Sequence, residues 1–255
     1  MFHVKQSRAR RAGTGDEVLE HIEEIAQIIQ LADAIGVTLE DRQAQTISRH
    51  VAMVYDANAM VNLTRIPRAD AISLHVVDSL TGLAAMSESP PGPWLDIGSG
   101  AGFPGVPLGI AGGRHVDLLE SVGRKAAFLD GVVQELRLDA TVRGCRAETA
   151  AQESLGVYSA VAARAVSELP ALVELASPLL MHGGRLVCWK GDPSEEESTR
   201  GKKVAARTGM VHVCDVEVRI PGSAVLRTII VYERTGKPAM PLPRRIGLAQ
   251  NKPLA

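Results

Sequence analysis

Aromatic side chains are scarce. Phe, Trp and Tyr together make up 3% of the 255 residues, so a core must be assembled from Ala, Val, Leu and Ile. That argues against an aromatic-rich β-sandwich or a propeller. Cysteine is nearly missing as well. Cys145, Cys188 and Cys214 form no C-x-x-C pair and stand near no histidine cluster. A disulfide scaffold and a structural zinc site are thereby disfavoured, and no metal is expected. Long hydrophobic runs are also lacking. The longest uncharged stretch, 97–113, is interrupted by glycines and by Pro104 and Pro107, which excludes it as a membrane span. No apolar secretory segment follows the basic start. With 45% hydrophobic and 22% charged residues, the composition is that of a folded chain. A soluble, cytoplasmic protein is expected, and nothing demands more than a monomer.

Net charge is close to nil, at −1, but its distribution is uneven. Residues 1–13 hold Lys5, Arg8, Arg10 and Arg11 with no acid. Residues 234–255 hold Arg234, Lys237, Arg244, Arg245 and Lys252 with no acid. Without these nine, 19 basic residues face 29 acidic ones, a body of net −10. Basic ends on an acidic body suit a polyanionic partner. For the N-terminal run, a solubilising terminus is the simpler reading.

Periodicity divides the chain into a basic flexible N-terminus (1–13), a helical region (14–90), an alternating region (91–234) and a basic tail (235–255). Thr14 and Glu17 have capping-box spacing, and Val18, Ile22, Ile25 and Ile29 follow at helical intervals. Thr38 is positioned to cap a second helix carrying Ile47, Val51 and Val54. A third carries Ile72, Val76, Leu80 and Leu83. From Trp94, short apolar runs alternate with helical stretches. The runs at 94–98, 115–120, 140–145, 158–164 and 184–190 read as parallel strands. Helices are expected at 104–112, 124–137, 147–154 and 168–181. The last two runs, 211–220 and 226–233, are joined by five residues, too few for a parallel crossover. They should form an antiparallel hairpin. The expected fold is a seven-stranded, doubly wound α/β sheet with a terminal hairpin, preceded by a helical cap.

The first strand runs into Asp96-Ile-Gly98-Ser-Gly100-Ala-Gly102-Phe103-Pro104-Gly105. A glycine-rich turn there lets a ligand approach the backbone at the carboxyl end of the sheet. Gly100-x-Gly102-x-x-Gly105, with Glu120 twenty residues on, also satisfies a dinucleotide fingerprint. Three features favour S-adenosylmethionine: Asp96 before the first glycine, prolines at the next helix start, and the terminal hairpin. Glu120, ending the second strand, could accept both ribose hydroxyls or serve as a helix-start acid near Arg124 and Lys125. The Ala147 N–H and the Glu148 carboxylate could address an adenine edge, though Glu148 also suits a helix N-terminus. Phe103 could flank the ligand or pack the loop.

These segments resemble the bacterial small-subunit ribosomal RNA guanine-N7 methyltransferases, historically called glucose-inhibited division protein B. The resemblance runs from about Tyr55 to the C-terminus. It rests on Asn62-Leu63-Thr64, His75-x-x-Asp78-Ser79, the loop at 98–105, LLES and RKAAFL within 118–129, Arg146-Ala147-Glu148, Ala163-Arg164-Ala165 and Lys190-Gly191. It implies a Rossmann-like class I S-adenosylmethionine-dependent methyltransferase acting on 16S ribosomal RNA, free or within a small subunit or assembly intermediate. The implied target is guanine 527 in the standard rRNA numbering. Carried over residue by residue, Gly98, Phe103, Ala147, Glu148 and Arg164 would line the cofactor site, with Gly100, Gly102 and Glu120 beside them. The tail from Pro243 to Leu254 is similar to the family's closing pattern. It departs at Leu242, where an aromatic is common, and at Leu248-Ala249, where Thr-Pro is usual.

Guanine N7 carries an in-plane lone pair, so methylation needs no general base and none is assigned. Lys190, His75 and Asp78 are the candidates for positioning the base. Lys190 could address O6, meet a phosphate or extend into solvent. His75 and Asp78 could hold a loop, meet the base, or hydrogen-bond each other to fix a helix. Arg164 could bind the methionine carboxylate or form an ordinary ion pair. Asn62 and Arg65 could meet RNA, although Asn62 also suits a turn. Arg244, Arg245 and Lys252 are expected to grip phosphates, making affinity salt-dependent. The run 195–207, with acids first and bases after, reads as a solvated helix. Methylation of another RNA, a protein or a small molecule is the alternative, with nicotinamide-dependent oxidoreduction behind it.

Overall fold

The computed structural model describes residues 15–255; the expectations for 1–13 and for Thr14 fall outside it. Two long helices open the chain, α1 (Gly15–Asp33) and α2 (Asp41–Val61). Glu40, rather than Thr38, caps α2. Its side chain takes the Gln43 N–H, and Gln43 in return accepts the Glu40 N–H at 2.9 Å. This reciprocal pair satisfies two helix-start donors at once, which a single threonine cannot do.

The third predicted helix is broken. A short turn at Arg68–Asp70 leads into a π-helical stretch at Ile72–Val77, followed by α3 (Asp78–Leu80) and α4 (Leu83–Ser87). A π turn takes in one residue more than an α turn, so the side chains beyond it are rotated about the axis. Gly82 lies between α3 and α4, directly beneath the Trp189 ring. A Cβ there would sit 2.2 Å from Cζ2 of that ring. Gly82→Ala should therefore destabilise the fold by about 1–3 kcal/mol through overpacking, read as a lower urea midpoint. An unchanged midpoint would show that the ring can yield.

The sheet is seven-stranded: β1 (Trp94–Ile97), β2 (Val116–Leu119), β3 (Ala140–Arg143), β4 (Tyr158–Arg164), β5 (Leu180–Lys190), β6 (Met210–Arg219) and β7 (Leu226–Arg234). The remaining helices are α5 (Gly105–Gly112), α6 (Gly123–Leu136), α7 (Ala147–Glu153), α8 (Leu169–Ala176), α9 (Glu195–Thr208) and α10 (Leu248–Asn251). Strand order is β3-β2-β1-β4-β5-β7-β6, with β7 antiparallel to both β5 and β6. The predicted hairpin is therefore present, and β7 is inserted against the parallel strands. Strand ends shift by one or two residues from the expected runs, and the largest difference is that α8 ends at Ala176 and β5 begins at Leu180 rather than 184. Leu180 pairs with Tyr158 before a register shift, and Gly183 at φ 75° absorbs the irregularity.

Apolar residues on the two sheet faces form two clusters, and a third joins the cap to the glycine loop. That third cluster unites Ile47, Val51, Val54, Ile72 and Val76 from the cap with Ala101, Phe103 and Ile220. Cap and sheet thus share buried surface at the carboxyl ends of the strands. Among the described residues, no helix is long and apolar enough to cross a membrane.

Candidate functional site

Strand order reverses between β1 and β4, so the loops after these strands diverge and open a crevice. The glycine loop follows β1. Gly98 and Gly102 have φ values of 72° and 94°. A Cβ added at Gly98 would sit 2.7 Å from Val166 Cγ2, and one added at Gly102 would sit 2.8 Å from His50 Nε2. Glycine is required at both by conformation and by space. The loop is held from two sides. Asp96 Oδ2 accepts the Gly105 N–H at 3.0 Å, and Glu120 Oε2 accepts the Gly100 N–H at 3.0 Å. Glu120 Oε1 also accepts the Val122 N–H at 2.7 Å. Both Glu120 oxygens thus brace backbone, each with a lone pair to spare, and neither is paired with Arg124 or Lys125.

Asp96 is fully buried, and its Oδ1 has no hydrogen-bond partner. Burial raises the carboxyl to about 6, against the lowering effect of the Gly105 N–H. An unpartnered buried carboxylate oxygen invites a cationic ligand group.

Phe103 packs rather than projects. It is 5% exposed, stacks on His75 at 4.4 Å and 9°, and lies 4.6 Å from the His50 ring. His50 donates from Nε2 to the Ala101 carbonyl at 2.8 Å, and burial lowers its ring to about 4. His75 is lowered to about 3 by burial and by Arg164. Its Nδ1 accepts from Arg164 at 3.3 Å, which leaves Nε2 to donate to Thr64 Oγ1 at 2.7 Å. Both rings are neutral near pH 7, and the His50 Nδ1 is buried without a partner among the described residues.

Among the described residues no side-chain hydrogen bond joins His75 to Asp78; the Asp78 backbone N–H donates to the His75 carbonyl. Both turn to Arg164, because the π turn sets them on the side facing β4. Asp78 is 1% exposed. It accepts Arg164 Nη1 at 2.9 Å, and Arg227 Nε and Nη2 at 2.8 and 3.0 Å. Trp189 Nε1 donates to the Asp78 carbonyl at 2.8 Å. Arg164 thus faces a carboxylate of the cap, and its guanidinium lies 5.7 Å from the Phe103 ring centroid. Arg227, in β7, completes this cluster, and the sequence did not disclose it.

These groups line a cleft of about 580 Å³, walled by Leu63–Ile66, Leu74, His75, Asp78, Arg164, Ala165, Trp189, Lys190, Gly191, Val225 and Arg227. It unites five of the candidates: Arg65, His75, Asp78, Arg164 and Lys190. Lys190 Nζ is paired with Glu197 Oε1 at 2.6 Å and also donates to the Ser167 carbonyl. Asn62 stays outside the lining. It ends α2 in the left-handed conformation at φ 54°, while Asn58 ties down the loop through the Leu63 and Thr64 N–H groups. Ala165, at φ 56°, turns the chain after β4 so that Val166 meets Gly98. On that far side a second, small cavity is bounded by Gly98, Leu119, Ala147, Glu148, Val166 and Gln250.

The tail requires a correction. Arg244 is not free for phosphate: its Nε and Nη2 each reach buried Glu174 at 2.7 Å. A carboxylate inside the apolar α8 demands this partner. Arg245 and Lys252 are exposed. The run 195–207 is helical as expected, capped by Ser194.

A doubly wound sheet with β7 inserted antiparallel, a glycine loop after β1 and carboxylates ending β1 and β2 define a class I methyltransferase. Comparison with known proteins agrees. A solved geranyl diphosphate methyltransferase in complex with GPP and sinefungin superposes with a TM-score of 0.53 at 16% identity, over 85% of this chain and all of that one. The GidB family model, rRNA small subunit methyltransferase G, matches residues 43–219. A ribosomal RNA small subunit methyltransferase G of Roseiflexus castenholzii is 37% identical over 89% of this chain and 99% of its own length. One of Deinococcus radiodurans is 38% identical over 88% and 90%. The chain belongs to the rRNA small subunit methyltransferase G family and is an S-adenosylmethionine-dependent methyltransferase of small-subunit ribosomal RNA.

Proposed function

We propose that the chain methylates N7 of one guanine of 16S ribosomal RNA, guanine 527 in the standard numbering. In this reading the cleft walled by Arg164 and Arg227 receives the base. The carrying observation is the β4 turn: Arg164 and Ala165 line the cleft, while the next residue, Val166, lines the cavity beside Gly98 and Glu148. Two ligands bound on either side of one turn would meet across it.

The described residues suit the cofactor. Asp96 Oδ1 lacks a partner, and the glycine loop leaves no room for side chains at Gly98 and Gly102. Asp96 would face the cationic methionine end, Glu120 the ribose, and Ala147 and Glu148 the adenine edge. S-adenosylmethionine, when bound, supplies an electrophilic methyl group. The protein's own residues then need only align and polarise. N7 gives up no proton, which agrees with His50 and His75 being buried neutral rings committed to Ala101 and Thr64. Arg164 and Arg227, fixed by Asp78, and Lys190, once released by Glu197, supply donors for O6 or a neighbouring phosphate. Arg65, Arg245 and Lys252 are exposed and suited to more distant phosphates.

The test is methyl transfer from radiolabelled S-adenosylmethionine to small-subunit particles and to free 16S RNA from a strain lacking the modification. Label at a single guanine, cleavable by N7-specific chemistry, is the expected result. Label on another atom or nucleotide would refute the assignment. Arg227→Ala should lower single-turnover transfer about a hundredfold and leave cofactor affinity within a factor of about three.

A further inference from the structure

The C-terminal segment, having lost Arg244 as a phosphate ligand, has a different geometry to explain. Its path is set by Glu174, 3% exposed in α8. Besides Arg244, this carboxylate accepts the Leu254 N–H at 3.1 Å. Arg244 Nη2 also donates to the Lys252 carbonyl at 2.7 Å. Residues 244–254 are thus drawn into a closed loop about one buried acid. Ala249 and Leu254 are buried in the sheet's core cluster, and Arg207 holds the Leu254 carbonyl at 2.9 Å.

Two contacts carry this loop to the crevice. The Gly247 N–H donates to Glu148 Oε1 at 2.7 Å. Gln250 stands in the wall of the cavity that Gly98, Leu119, Ala147 and Glu148 also bound. Gly247 sits at φ 81°, which points its N–H inward from the start of α10.

We infer that the C-terminal loop is the outer wall of the adenosine subsite and sets the orientation of Glu148, so that the tail governs which base the cofactor carries. The inference rests on the cofactor placement given above. A glutamate carboxylate rotates freely unless one oxygen is held. Here Oε1 is fixed by Gly247, and Oε2 carries no hydrogen bond among the described residues. An oriented carboxylate accepts from an exocyclic amino group and repels the carbonyl oxygen that replaces it in hypoxanthine. Arg244, Gly247 and Gln250 are therefore positioning residues that act through Glu148 and the pocket wall.

Calorimetric titration with S-adenosylhomocysteine and its N6-deaminated analogue, S-inosylhomocysteine, tests this. The full-length protein should prefer the adenine form by about tenfold or more. In Arg244→Ala that preference should fall below about threefold, and Arg244→Lys should restore part of it. Gln250 is exposed, so Gln250→Ala should leave the melting temperature unchanged while weakening both ligands about threefold. Equal loss of both affinities in Arg244→Ala, or no change in either variant, would overturn the inference. Failure of the unaltered protein to bind either ligand would overturn the cofactor placement as well.

Discussion

Replacing Asp78 by alanine is expected to cost about 3–5 kcal/mol of stability and to lower methyl transfer at least about a hundredfold. The carboxylate is 2% exposed and accepts three guanidinium hydrogen bonds. Its removal leaves Arg164 and Arg227 facing one another without the carboxylate that bonds both, with Asp96 as the carboxylate that still acts on Arg164. Their side chains keep 12% and 21% exposure, so water can soften the repulsion and the lower end of the range is expected. Activity should fall further than stability accounts for, because both arginines lose the group that orients them towards the cleft. Asp78→Asn separates the two effects. It keeps the shape and one acceptor but removes the charge, so cofactor binding should persist while transfer is still impaired. A loss below about 1 kcal/mol with unaltered turnover in Asp78→Ala would sink this account.

Cofactor affinity should depend on pH through Asp96. Burial raises this carboxyl to about 6 in the free protein, so it is ionised at pH 8 and largely protonated at pH 5. If the ionised Oδ1 meets a cationic ligand group, binding requires loss of that proton. Affinity is then constant above about pH 7 and falls towards tenfold per unit below about pH 6. The same shift bears on folding with the opposite sense. A carboxyl raised above its unfolded value favours the folded state when protonated, so its stabilising contribution is lost as pH rises through 6. Asp96→Asn should abolish the pH dependence of binding in this window and weaken S-adenosylmethionine by about ten- to a hundredfold. Isothermal titration between pH 5 and 8 measures both. A flat affinity profile in the unaltered protein would remove Asp96 from the ligand's surroundings.

The sheet was legible because its strands are short apolar runs separated by helical periods. The bounds of β4, at 158–164, coincide with the run read from sequence. The start of β5 was not, since the apolar spacing of 168–181 reads as one continuous helix and only pairing with Tyr158 draws the strand back to Leu180. The cap helix was predicted whole because apolar spacing is insensitive to a single π turn. Candidate residues were legible where they ended strands or sat in the glycine loop. Arg227 was not: it is one base within an ordinary strand, and its partner lies 149 positions earlier. The tail misled for a related reason, since counting charge cannot distinguish an exposed base from a paired one. A signal was present in Glu174. An acid at the centre of LPALVELA, a helix buried along its whole length, requires a cation from elsewhere in the chain.

The three distant partners that converge on Asp78 also bear on how the enzyme comes into being. Asp78 waits 86 residues for Arg164, 111 for Trp189 and 149 for Arg227. During vectorial synthesis the cap helices emerge first, carrying a carboxylate whose partners do not yet exist. Contacts this distant in sequence form late and slowly. No nascent fragment ending before β7 can complete the cluster around Asp78, so the cleft is finished only when the last strand has been made.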